Sequence, residues 1–188
     1  MVRAAVGLGS NLGDRAAHVA AGVSALAGAG VVVAVSSLYE TAPIGGPEQG
    51  PYLNAVAVVD TDLTPHELLA LGLEAERAAG RERRERWGPR PLDVDILLFG
   101  DQEIATSDLT IPHPRMTERR FVLEPLLEVW PDAALPDGTA LAAARPAVAA
   151  QRVRKLETVV PDRRLSIALF FTVAVIAAVL WALADWLL

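Results

Sequence analysis

Arg86-Trp87-Gly88-Pro89-Arg90-Pro91-Leu92-Asp93-Val94-Asp95-Ile96-Leu97 is the stretch on which the reading of this chain turns. Leu92, Val94 and Ile96 alternate with two aspartates, and Leu98 and Phe99 extend the apolar run, so the segment reads as a central strand. Side chains at i and i+2 of a strand leave the same face, with Cα atoms roughly 6.6 Å apart. That spacing suits a carboxylate pair bracketing two cations, which sit ~3.5–4 Å apart in two-metal sites. Residues 81–90 hold five arginines against two glutamates. A positive loop beside a carboxylate pair points to a polyphosphate substrate.

Working outward, the chain alternates strand and helix signals. Residues 3–8 read as a strand, Gly9–Gly13 as a turn, and Asp14 as the cap of a helix carrying Val19, Val23 and Leu26, ended by Gly28 and Gly30. Residues 31–39 read as one β-branched strand, and 52–59 as another. Thr64-Pro65-His66-Glu67 is a helix start, with a Thr cap, Pro at the first position and Glu at the third. That helix runs to about Ala79, and the 92–99 strand and a short strand near 103–104 follow. Residues 117–129 and 139–151 read as helices. The order strand-helix-strand-strand-helix-strand predicts an α+β fold, a ferredoxin-like sheet with packed helices.

Composition sets limits. The formal charge of −6 argues against a general nucleic-acid surface. With no cysteine, disulfides and thiolate metal sites are excluded. Gly7-x-Gly9-x-x-x-Gly13 resembles a dinucleotide fingerprint with the wrong spacing, and no phosphate loop of the Gly-x-x-x-x-Gly-Lys type occurs. Residues 165–184 form a 20-residue run without a charge, long enough as a helix to cross a bilayer. Arg163 and Arg164 precede it, so the N-terminal side is expected in the cytoplasm. The expected organisation is a domain over 1–151, a basic linker over 152–164 and a transmembrane helix over 165–184. The catalytic domain would then be tethered to the inner (cell) membrane.

Site candidates follow from residue type. Arg90, stiffened between two prolines, is expected on phosphate. Tyr52 and Asn54 share a strand face and suit stacking on, and hydrogen bonding to, a flat heterocycle. Spacing alone leaves open a half-buried core Tyr and a capping Asn. His113, between Pro112 and Pro114, is equally open, and Phe121 reads as core.

Several ordered segments resemble the 6-hydroxymethyl-7,8-dihydropterin pyrophosphokinase family of folate biosynthesis. They are Gly9-Ser-Asn-Leu-Gly13, Tyr39-Glu-Thr-Ala-Pro43-Ile-Gly45, Tyr52-Leu-Asn54-Ala, Glu76 ahead of Gly80-Arg81, the 86–97 stretch, Ile111-Pro-His113-Pro and Arg119-Arg-Phe121-Val-Leu. The resemblance covers roughly residues 1–160. It implies transfer of the β,γ-diphosphate of ATP to the pterin hydroxymethyl group with release of AMP, by a monomeric catalytic domain. Asp93 and Asp95 would hold two Mg²⁺ ions. Arg81 and Arg90 would bind the triphosphate and stabilise charge, with Glu76, Arg83, His113 and Arg119 in the ATP set and the backbone near Ile96 against adenine. Tyr52 and Phe121 would sandwich the pterin, and Asn54 with Thr41, Pro43 and Ile44 would read its edge. The charge-free C-terminal run is a departure from the family. A rival reading is a membrane-anchored nucleotide- or pterin-binding module without catalysis.

Overall fold

A computed structural model of the chain describes residues 1–43, 45–81 and 88–156. Within them the fold is α+β, with a six-stranded antiparallel sheet that carries helices on both faces and a separate two-stranded one. Strand β4 (Tyr52–Thr61) is its centre, because eight of its ten residues are buried. It pairs with β1 (Val2–Ser10) on one side, and with β2 (Gly30–Val35) and β3 (Leu38–Thr41) on the other. β5 (Asp93–Phe99) pairs with β1.

Two expectations about strands need correction. The stretch 31–39 is not one strand. At Ser36 the side chain replaces the ladder: its Oγ accepts the Val56 N–H at 2.9 Å, and its own N–H donates to the Val56 carbonyl. The chain breaks there into β2 and β3. Nor is β5 central; it ends the sheet. Its apolar run is explained by cover on both faces, not by a strand on each side. Val94 and Ile96 belong to the core shared with α1 (Arg15–Leu26) and α2 (Pro65–Ala78), while Leu97 and Leu98 belong to the core under α3 (Arg120–Val129).

The helix starts were read correctly. Asp14 accepts the Ala17 N–H, and Thr64 and Glu67 form a reciprocal capping box at α2. The stretch 117–129 is a 3₁₀ turn over Met116–Glu118 followed by α3. The expected 139–151 helix is only a 3₁₀ turn, Leu141–Ala144, and one short helix, α4 (Arg145–Val148). Leu141 and Val148 are its buried anchors, too few to hold a longer amphipathic helix in place. The expected linker begins inside the fold: Val153–Leu156 is a strand, here β8 after the short β6 (Ile104–Ala105) and β7 (Thr110–Ile111). It pairs antiparallel with β3. No helix among the described residues is long and apolar enough to cross a membrane, and the 165–184 run lies outside them.

Candidate active site

Sheet register lays the floor of the site. Asp93 of β5, Gly9 of β1, Asn54 of β4 and Tyr39 of β3 stand in one row, and Asp95, Gly7 and Val56 in the next. A Cβ on Gly9 would lie 3.3 Å from Asn54 Oδ1 and 3.8 Å from Tyr52 Cδ1. Glycine there keeps the floor open between the carboxylates and the aromatic end. The Gly7/Gly9 pair was read from sequence only as a failed dinucleotide motif. The available signal was its period of two, which places both on one strand face. Above this floor is a cleft of about 640 Å³.

A bulge shapes the acidic end. Ala5 pairs with Leu98 and Val6 with Ile96, which leaves Leu97 extra. The His113 N–H donates to the Leu97 carbonyl at 2.9 Å and fixes the 111–114 segment beside the strand. His113 lines the cleft. Its Nδ1 accepts the Arg115 N–H at 3.2 Å, so the neutral ring carries its proton on Nε2. Burial, helped by Arg119 and Arg115, holds its pKa below the usual histidine value and keeps it neutral.

The two aspartates differ. Asp93 accepts from Arg81 at 2.5 Å and from Arg90 at 3.0 Å, on separate oxygens. The Asp95 carboxylate makes no hydrogen bond or ion pair among the described residues. Burial, and then the adjacent Asp93 charge, push its pKa well above the ordinary carboxyl range. A desolvated carboxylate beside a second one favours a proton or a cation. The donor set is all oxygen and fits Mg²⁺, which binds through one or two carboxylates plus phosphates and water. Among the described residues no group of three or more histidine, aspartate or glutamate side chains is placed to hold a metal ion.

The cations are held from behind. Arg81 follows Gly80, whose positive φ of 82° turns the chain out of α2. It also pairs with Glu76 and donates to the Leu92 carbonyl. Glu76 is buried, accepts the Val94 N–H at 2.9 Å and does not line the cleft. It positions Arg81. The Arg90 guanidinium lies 5.9 Å from the Tyr52 ring centre. Arg119, lowered in pKa by burial and by Arg115, lies 5.5 Å from the Phe121 ring centre and makes no ion pair among the described residues.

At the other end Tyr52, Asn54, Thr41, Pro43 and Phe121 all line the cleft. Phe121, read from sequence as core, is half-buried on α3. Asn54 Nδ2 donates to Thr41 Oγ1 at 2.9 Å and to the Tyr39 carbonyl at 3.4 Å. Its Oδ1, beside Gly9, is the atom left facing the cleft. Ile96 does not line the cleft; its side chain packs in the core under α1 and α2. Ile44, Arg83, Arg84 and Trp87 lie outside the described residues. Sequence reading missed Gln49 and Arg115, which also line the cleft.

The cleft is lined by Asp93, Asp95, Arg81 and Arg90 and also by the aromatic rings of Tyr52 and Phe121. The sequence profile of the 7,8-dihydro-6-hydroxymethylpterin-pyrophosphokinase (HPPK) family matches residues 5–131. A Methylorubrum extorquens protein named 2-amino-4-hydroxy-6-hydroxymethyldihydropteridine pyrophosphokinase is 48% identical over 134 residues, 70% of this chain and 85% of that one. The Bacillus subtilis protein of the same name is 48% identical over 126 residues, 66% and 75% of the two chains. Among solved structures, a Plasmodium falciparum HPPK-DHPS triple mutant with pteroate superposes with a TM-score of 0.60 at 15% identity, over 77% of this chain and 43% of that one. That likeness speaks to fold alone, and this chain spans under half of that longer protein. The chain belongs to the HPPK family.

Proposed function

We propose that this chain is an ATP:pterin diphosphotransferase of folate biosynthesis. It moves the β,γ-diphosphate of ATP to the hydroxymethyl group of 6-hydroxymethyl-7,8-dihydropterin. The hydroxyl oxygen bonds to the β-phosphorus and the bond from that phosphorus to the α,β-bridging oxygen breaks. AMP leaves with the bridging oxygen, and the hydroxyl proton passes to solvent. The observation that carries this reading is one continuous cleft holding Asp93, Asp95, Arg81 and Arg90 at one end and Tyr52, Asn54 and Phe121 at the other. The βαββαβ order, with β5-β1-β4-β3 side by side, supports a ferredoxin-like sandwich as its frame.

Transfer of this kind asks chiefly for in-line positioning and charge neutralisation. Asp93 and Asp95 would hold two Mg²⁺ ions, which when bound neutralise phosphate charge. Arg81, oriented by Glu76, and Arg90 bind the non-bridging phosphate oxygens. Neutral His113 offers its Nε2–H, and Arg119 adds a further guanidinium. Tyr52 and Phe121 stack the pterin, and Asn54 Oδ1 accepts from a donor on the ring edge. Thr41 orients Asn54 through their hydrogen bond. Arg83 and Ile44 complete the nucleotide and pterin sets. The domain is a catalytic monomer.

The test is incubation of the full-length chain with ATP, Mg²⁺ and 6-hydroxymethyl-7,8-dihydropterin, with the nucleotide products separated. AMP in step with pterin diphosphate is the expected result. ADP, or no turnover by a chain that binds both substrates, would refute the reading.

From the sequence we also infer that residues 165–184 cross the membrane, with the catalytic domain on the cytoplasmic face. The run carries no charge and follows Arg163-Arg164. The full-length chain should stay with membranes after an alkaline carbonate wash, and chain released by that wash would refute the tether.

A further inference from the structure

α3 begins without a cap of its own. The residue before it, Arg119, is extended, and its side chain makes no capping hydrogen bond. The first N–H groups of a helix need an acceptor from elsewhere. Gln151, 31 residues further along the chain, supplies one: its Oε1 accepts the Arg120 N–H at 2.9 Å. The Nε2 of the same amide donates to the Glu118 carbonyl at 2.7 Å. One flat group therefore holds the peptide unit before Arg119 and the one after it. Gln151 is itself held in place. Its N–H donates to the carbonyl of buried Val148 at 3.0 Å. Arg120 Nη1 donates to the Ala149 and Gln151 carbonyls, each at 3.0 Å. Gln151 and Arg119 both line the cleft.

We propose that Gln151 is a positioning residue that acts through Arg119. By gripping both flanking peptides it aims the Arg119 guanidinium at the phosphates of bound ATP. Arg81 and Arg90 need no such help, because the Glu76 and Asp93 carboxylates set them. Arg119 makes no ion pair among the described residues, so its direction comes from its backbone and from the Phe121 ring, whose centre is 5.5 Å away. An amide suits the task because it presents an acceptor to one peptide and a donor to the other, which a carboxylate cannot do. Gln151 lies beyond residues 5–131, so the family profile does not reach it. The inference rests on the functional reading above, since it takes Arg119 as a phosphate-binding group.

The test measures affinity, not turnover. The full-length chain in mild detergent with Mg²⁺ is titrated with an ATP analogue whose α,β-bridge is a methylene group. Wild type, Gln151→Met, Arg119→Ala and the double variant are compared. Methionine keeps the length of the side chain and removes both hydrogen bonds. Gln151→Met should weaken analogue binding by about tenfold when Arg119 is present and by less than about twofold when it is gone. Additive losses would overturn the proposal, because a glutamine that only stabilises α3 costs the same affinity with or without Arg119. An affinity of Gln151→Met within about twofold of the wild type would overturn it too. Gln151→Glu keeps an acceptor for the helix N–H and carries the test should Gln151→Met not fold. Its charge acts on the analogue in either background, so a loss left unchanged by Arg119→Ala counts against the proposal and a loss that shrinks counts for it. A wild type that binds no analogue would instead overturn the functional reading, and that outcome is visible before any variant is made.

Discussion

Asp93 and Asp95 are two residues apart and chemically alike, yet the fold treats them differently. Asp93 has a guanidinium on each oxygen, and Asp95 has none among the described residues. Asp95 carries a folded-state pKa raised by burial and by the neighbouring Asp93 charge. A raised carboxyl pKa contributes stability below its unfolded value and loses it as pH rises through the folded one. At pH 8 without metal, ionised Asp95 therefore weakens the fold. Asp95→Asn should raise unfolding free energy by roughly 1–3 kcal/mol at pH 8 and by little at pH 4, while turnover falls by several orders of magnitude. Urea unfolding at both pH values, with a product assay, checks both halves. A destabilised Asn variant would mean that Asp95 is paired in the folded protein. The carboxylate pair was legible in the sequence because strand alternation alone puts both on one face. Their inequality was not, because Arg81 and Arg90 reach Asp93 only through the turn at Gly80 and the hydrogen bonds between Asn11 and the Arg90 backbone.

Among the elements, signals confined to a few neighbouring residues were readable and signals set by distant packing were not. The capping box of α2 lies wholly within Thr64–Glu67, and it formed as expected. The break between β2 and β3 depends on Val56, twenty residues from Ser36, and β8 forms only because β3 offers it an edge. Gly30 shows the same division. In the sequence it ends a helix; in the fold it opens β2 opposite Thr61 with φ of 151°. A Cβ there would lie 2.3 Å from the Asp60 carbonyl oxygen, in the backbone of the paired strand. Neither the dihedral nor that contact is open to an L side chain without moving β4. Gly30→Ala should cost about 2–4 kcal/mol, read as a lower urea midpoint with an unchanged m-value. A loss within about 0.5 kcal/mol would show that the β2 entry can shift freely.

At the scale of the whole molecule, Glu128 ties the last described strand to the helix layer. From α3 its Oε2 accepts the Tyr39 hydroxyl at 2.6 Å, and its Oε1 accepts from the Ser37 hydroxyl and N–H. Lys155 of β8 lies 3.2 Å from the same Oε1, so one carboxylate joins α3, the β2–β3 break and β8. Lys155 lies outside residues 5–131, which match the family, so this joint involves sequence that the family profile does not reach. No local pattern announces it, since Ser37, Tyr39, Glu128 and Lys155 meet only when sheet and helix are assembled. Burial alone would raise the Glu128 pKa, but hydrogen bonds from Tyr39, Ser37 and Lys155 outweigh it and hold the value below the ordinary one. A depressed carboxyl pKa contributes stability above its unfolded value, near ~4.3, and loses it as pH falls through the folded one. Glu128→Gln keeps the shape and removes the charge. It should be less stable than the wild type by roughly 1–2 kcal/mol at pH 7, discounted for partial exposure, with the difference closing as pH falls below about 4. Protection of the β8 amides in hydrogen exchange should fall with it at pH 7, ahead of the core strands β1 and β4. A stability gap that stays constant with pH would assign Glu128 to packing alone. Loss spread evenly over all strands would mean that β8 is not the element this carboxylate secures.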